Sequence, residues 1–144
     1  MVDHTEACAK ASVVVRHRGN FEWDGIETIS YKQPDANWND VLRRVLLGDK
    51  GEPARFHVRY FEIAPGGFTT FERHEHVHLV LVLRGNGSVK LGDKTDVVNP
   101  MDVVYIAPNT PHQLLNSSDA PFGFICVVDA QRDRPIHVEA ESGP

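Results

Sequence analysis

From Ser12 onward, short runs of apolar, β-branched and aromatic residues alternate with clusters of turn formers at roughly eight-to-twelve-residue intervals, the rhythm of an all-β sandwich or barrel. The interruptions are Pro65-Gly66-Gly67, Gly85-Asn86-Gly87, Gly92-Asp93, Asn99-Pro100, Pro108-Asn109-Thr110-Pro111 and Ser117-Ser118-Asp119. Between them the pattern predicts strands over 26–31, 56–63, 68–74, 78–83, 88–91, 102–106, 112–116 and 122–128. Asn86-Gly87 and Gly92-Asp93 accommodate positive φ, so the strands flanking each are expected to be antiparallel neighbours. One stretch departs from the β pattern. Trp38, Val41, Leu42, Val45 and Leu46 recur at helical spacing, with Asp35 or Asn37 available as a cap and Gly48 as a stop. This predicts a short amphipathic helix packed on the barrel or on a second subunit. The segment after Gln131 is polar and contains proline, and is expected to be disordered or draped along a neighbour. The chain therefore divides into N-terminal strands and helix (1–54), a barrel core (55–129) and a C-terminal tail (130–144).

With 144 residues, 41% hydrophobic and 24% charged, the chain has the make-up of one globular domain. Twenty acidic residues outnumber fifteen basic ones, and no Lys/Arg cluster follows a phosphate backbone, so nucleic acid is not an expected partner. The longest apolar stretch, 77–83, is broken by His78 and is too short to cross a bilayer. The first ten residues lack a basic segment followed by an apolar one, so a cytoplasmic protein with no membrane contact is expected. Cys8 and Cys126 are the only cysteines, far apart in sequence, which is no disulfide framework and suits a reducing compartment.

The chemistry concentrates in one place. Three of the eight histidines fall in His74-Glu75-His76-Val77-His78, just after Glu72 and beside the apolar run 79–83. Imidazoles and a carboxylate gathered at the edge of buried structure suit a divalent metal. The same letters spell H-E-x-x-H, but that zinc-protease motif needs a helix to put both histidines on one face. The surrounding Thr, Phe, Val and Leu, bracketed by Pro65-Gly66-Gly67 and Gly85, predict strands instead. Along a strand Glu72 and His74 share a face, and His78 opens the next strand on the same side.

At this point the sequence resembles the cupin superfamily. In the first cupin motif a His-x-His pair and a Glu lie between two glycines. Counting forward from Gly66 and back from Gly85 gives one register, with Glu72 in place of the first His, His74 as the second, and His78 in place of the Glu. The second motif spans 102–116 and keeps Pro108, His112 and Asn116. It departs at Met101, Asn109 and Thr110, where glycine or a Pro-x-Gly turn is usual. The resemblance implies a single-domain double-stranded β-helix, or jelly-roll barrel, holding a metal on Glu72, His74, His78 and His112. His76 falls in the turn at the barrel mouth, as an extra ligand, an acid/base or a solvated turn residue.

Cupins include dioxygenases, isomerases, lyases, thiol-handling enzymes and binding proteins, so the fold alone leaves function open. The runs 59–63, 72–78 and 121–135 resemble the small cupins that include methylthio-xylulose phosphate methylsulfurylase. That resemblance implies a divalent metal, manganese before iron, cobalt, nickel or zinc, and Cys126 as a catalytic thiol that takes a methylthio group. It also implies glutathione as the releasing thiol, a small-molecule substrate and a homodimer. Strand parity leaves open whether Cys126 faces the cavity. The alternatives are an iron-dependent dioxygenase and a non-catalytic binding cupin.

Overall fold

The structure is a computed structural model that describes residues 10–32 and 37–139. Thirteen strands and no helix are found among the described residues. A hairpin of β1 (His17–Gly19) and β2 (Glu22–Trp23) precedes β3 (Ile29–Ser30), β4 (Asn39–Leu47) and the long β5 (Phe56–Phe68). There follow β6 (Glu72–Arg73), β7 (His78–Arg84), β8 (Gly87–Leu91), β9 (Lys94–Val98), β10 (Val103–Ile106), β11 (His112–Leu115), β12 (Phe122–Asp129) and β13 (Ile136–His137). All pairings are antiparallel. One half of the curled sheet runs β3-β4-β5-β12-β7-β10, and the other joins β9, β8, β11, β6 and β13. Alternate side chains of both halves, including Phe61, Ile63, Val80, Val82, Val89, Leu114, Phe122, Phe124 and Val128, meet in one buried core. This is the jelly-roll barrel expected from the sequence.

Strand β5 links the halves. Its first part pairs with β12, while Phe68 at its end pairs with Leu115 of β11. The Pro65-Gly66-Gly67 break is therefore a corner within one strand. Gly66 adopts φ +83°, and a Cβ on Gly67 would lie 2.5 Å from Asn39 O. Buried Asn116 ties the corner down, its Nδ2 donating to Ile63 O and Ala120 O, each at 2.8 Å. Gly92-Asp93 makes the expected hairpin between β8 and β9. The strands on either side of Gly85-Asn86 do not pair. The chain crosses there from one half of the sheet to the other, because β7 is already flanked by β10 and β12.

The predicted N-terminal helix is not present: residues 39–47 form strand β4, and Asp35 lies outside the described residues. Val41, Arg43 and Val45 lie opposite Ile63, Phe61 and Arg59 of β5 and follow its inward face. Leu42 and Arg44 lie opposite Glu62 and Tyr60, whose side is covered by the β1–β2 hairpin. There Phe21 stacks on Tyr60 with ring centroids 5.6 Å apart, and Arg44 Nη1 donates to Phe21 O at 3.0 Å. A strand covered on both faces carries apolar residues on both, and that density imitates the spacing of a helical stripe.

The tail turns back on its own barrel as far as it is described: Ile136 and His137 of β13 pair with Arg73 and Glu72 of β6. No helix of the described residues is long and apolar enough to cross a membrane.

Candidate metal centre

Strand pairing brings the distant histidine to the cluster. His112 opens β11 directly opposite Glu72 of β6, across one antiparallel rung. His74 follows β6, and its carbonyl accepts from Asn109 N at 2.6 Å, joining the two motif loops. His76 lies in the turn before β7, its ring stacked on His74 with centroids 3.6 Å apart and planes 4° from parallel. His78 opens β7, with its Nε2 2.9 Å from His74 Nε2. The H-E-x-x-H residues thus occupy a strand end, a turn and a strand start, with no helix among them.

Two triads share His74: Glu72, His74 and His112, and His74, His76 and His78. Within each, one candidate ligand atom per residue lies within 4.8 Å of the others. The structure thus draws His76 into the cluster, which the motif register leaves outside the ligand set. The hydrogen bonds then fix the tautomers. His74 Nδ1 lies 2.8 Å from His76 O, His112 Nδ1 2.9 Å from Thr110 O, and His76 Nδ1 2.8 Å from Asp133 Oδ1. Each of these oxygens can only accept, so each Nδ1 carries the hydrogen and each Nε2 presents a bare lone pair. Bare imidazole nitrogens and a carboxylate turned towards one another repel without a cation among them, and their ring hydrogens are held as in metal-binding histidines. The donor set fits a divalent ion. Glu72 is held by Lys32, whose Nζ lies 2.5 Å from Oε1.

The electrostatics agree with that fit. Burial, aided by the neighbouring His112 and His76, lowers the His74 pKa to about 4. Burial also pushes His78 far down and lowers His112. These imidazoles are neutral at neutral pH, the form that binds metal. An unfolded chain takes up protons near pH 6.5, whereas folded His74 does so only near pH 4. The metal-free fold therefore loses stability as pH falls through that window, by up to about 1.4 kcal/mol per pH unit for each such imidazole. Its Tm is expected to stay level above pH 7 and to fall between pH 6.5 and 4.5. A level or rising Tm over that acidic range would contradict the burial of neutral imidazoles.

Cys126 settles the parity question. Phe122, Phe124, Cys126 and Val128 of β12 all point inward, and Cys126, 2% exposed, lines a cavity of about 140 Å³ together with His76, His78 and His112. Its Sγ lies 2.7 Å from His78 Nδ1 and 3.7 Å from Arg59 Nη2. Burial pushes the thiol pKa up, and the Arg59 guanidinium opposes that rise.

Asp133 was not foreseen. Its Oδ2 accepts from Glu75 N at 2.8 Å, and its Oδ1 accepts from His76 N at 3.1 Å and from the His76 ring. The Glu75 N–H, with those from His76, holds this carboxyl well below the usual carboxylate range. The one sequence signal was an aspartate in a segment otherwise suited to a tail. With His76 in the metal set, Asp133→Ala is expected to weaken metal binding roughly tenfold to a hundredfold, read by competition against a chelator. Unchanged affinity would exclude His76 from the set.

Comparison with known proteins places this geometry in a family. Residues 59–128 match the cupin domain. The chain is 37% identical over 119 residues to the 1-methylthio-D-xylulose 5-phosphate methylsulfurylase of Rhodospirillum rubrum, covering 82% of this chain and 75% of that protein. The crystal structure of a cupin-2 domain from Rhodospirillum rubrum superposes with a TM-score of 0.77 at 35% identity, covering 86% of this chain and 82% of that one. A cupin 2 conserved barrel domain protein from Rhodopseudomonas palustris gives 0.82 at 38% identity, over 90% and 88% of the respective chains. The chain belongs to the cupin family.

Proposed function

We propose that this protein is a metal-dependent cupin enzyme that removes the methylthio group from methylthio-xylulose phosphate, with Cys126 as the sulfur acceptor and a thiol such as glutathione as reductant. The observation that carries the reading is the inward Cys126 thiol against His78 in the histidine-lined cavity. The similarity to a methylsulfurylase supports it.

Glu72, His74, His78 and His112 would hold the ion in this reading, with His76 as an extra ligand; manganese is proposed first, then iron, cobalt, nickel or zinc. A divalent ion there supplies a Lewis acid for the ketose carbonyl. With Nε2 of His78 committed as a ligand, the ring hydrogen sits on Nδ1 and faces the Cys126 sulfur. A thiolate at Cys126 then receives that N–H and the Arg59 guanidinium. The thiolate attacks the methylthio sulfur. The S–S bond forms as the C–S bond breaks, the released electron pair passes into the adjacent carbonyl as an enolate, and protonation of the carbon that carried the sulfur completes the demethylthiolated ketose phosphate. Two thiol equivalents then reduce the Cys126 methyl disulfide, giving methanethiol and an oxidised thiol pair.

We extend the proposal to a homodimer in the cytoplasm. Leu79 of β7 and Val103 and Tyr105 of β10 stand exposed together on the outer face of the barrel, a surface suited to a second copy. The functional test is methanethiol release from a methylthio-ketose phosphate with added thiol, with and without prior chelation. Metal-dependent release is expected. Oxygen uptake in its place would turn the assignment to a dioxygenase, and neither activity to a binding protein.

A further inference from the structure

The cavity that holds Cys126 is also lined by Arg43, Arg59 and Arg132. The first two reach it from the inward faces of β4 and β5. Their Nε atoms are buried without a hydrogen-bond partner, and among the described residues neither guanidinium is in a salt bridge. The acids that could neutralise them are already engaged, Glu72 by Lys32 and Asp133 by the His76 turn. The two buried Nε donors left open in this way carry a desolvation cost that an anionic ligand inside the cavity would offset.

The charges also oppose one another. Burial, and then the Arg59 charge, act to lower the pKa of both Arg43 and Arg132. Three like charges are thus gathered in the same cavity as the histidine cluster and the thiol. Arg132 stands exposed at the rim, its Nη1 donating to Asp129 O at 2.7 Å, so the basic wall runs from the interior to the mouth.

We infer that Arg43, Arg59 and Arg132 form an anion subsite that takes the phosphate monoester of the substrate. Two half-buried arginines and a third at the rim match a dianion, and the planar guanidinium fork matches phosphate oxygens. The inference rests on the proposed reading of the site, and it adds which residues of this chain hold the phosphate of that substrate.

The test uses the full-length metal-loaded protein and titration calorimetry with inorganic phosphate, xylulose 5-phosphate, unphosphorylated xylulose and glutathione. The two phosphate ligands are expected to bind, and xylulose to bind far more weakly. Arg43→Met is expected to weaken both phosphate ligands roughly tenfold to a hundredfold, with metal content unchanged, and Arg43→Lys to recover part of the loss. Arg43 is chosen because Arg59 touches the thiol. Unchanged metal content and thermal melting distinguish this loss from misfolding. Equal binding of xylulose and its 5-phosphate, or an Arg43→Met effect confined to glutathione, would overturn the inference. Because the readout is binding, it stands if phosphate binds through these arginines without methanethiol release. It falls alone if release occurs and phosphate affinity ignores Arg43.

Discussion

His74→Ala is expected to abolish stoichiometric metal binding. His74 belongs to both ligand triads, and its removal leaves Glu72 with His112 on one side and His76 with His78 on the other. A fall in affinity greater than about a hundredfold is expected, since even residues that only orient metal ligands account for losses up to that size. His112→Ala and His76→Ala each break one triad and leave the other, so each should lose less than His74→Ala does. Metal content of the purified variants, measured by elemental analysis, checks the order. Full occupancy in His74→Ala would remove the centre as drawn. If His76→Ala empties the site and His78→Ala does not, the register that puts His78 in place of the motif glutamate is the wrong one.

The second large effect belongs to Cys126. Cys126→Ser is expected to abolish thiol-dependent methanethiol release while leaving metal content unchanged, because the sulfur is the proposed acceptor and is not among the proposed ligands. A serine hydroxyl conserves the size of the side chain and its contact with His78, but it offers no sulfur to form the disulfide. Methanethiol release at the wild-type rate would end the thiol mechanism and leave the metal centre standing.

Much of this architecture was legible in local chemistry. The breakers at Gly92-Asp93 and Asn99-Pro100 bound their strands, and the β pattern put Glu72 and His78 in two strands, while His74 lies just past the end of the first. What was not legible depended on partners remote in sequence. Residues 39–47 have the apolar density of a helix stripe because β5 covers one face of β4 and the β1–β2 hairpin the other, and no local period records the second cover. The corner at Gly66-Gly67 and the crossing at Gly85-Asn86 use the same residue types as hairpins do, and only the pairing of β5 and β7 tells them apart. His76 lies in the turn that the sequence predicts, but the choice among its open roles depends on the ring of His74 and the remote carboxylate of Asp133 that flank it. Cys126 could be placed on a strand but not on a face. The inward row Phe122, Phe124, Cys126 and Val128 is set by pairing with β5 and β7.

The central claim is that Cys126 accepts a methylthio group from carbon beside a metal-polarised carbonyl. Its most direct test is the intact mass of the metal-loaded protein after incubation with methylthio-xylulose phosphate in the absence of any reducing thiol. The account predicts that the wild-type chain gains the mass of one methylthio group, located by peptide mapping to Cys126 and removed by glutathione with release of methanethiol, and that Cys126→Ser gains none. A wild-type chain that consumes the substrate yet carries no adduct on Cys126 would contradict it.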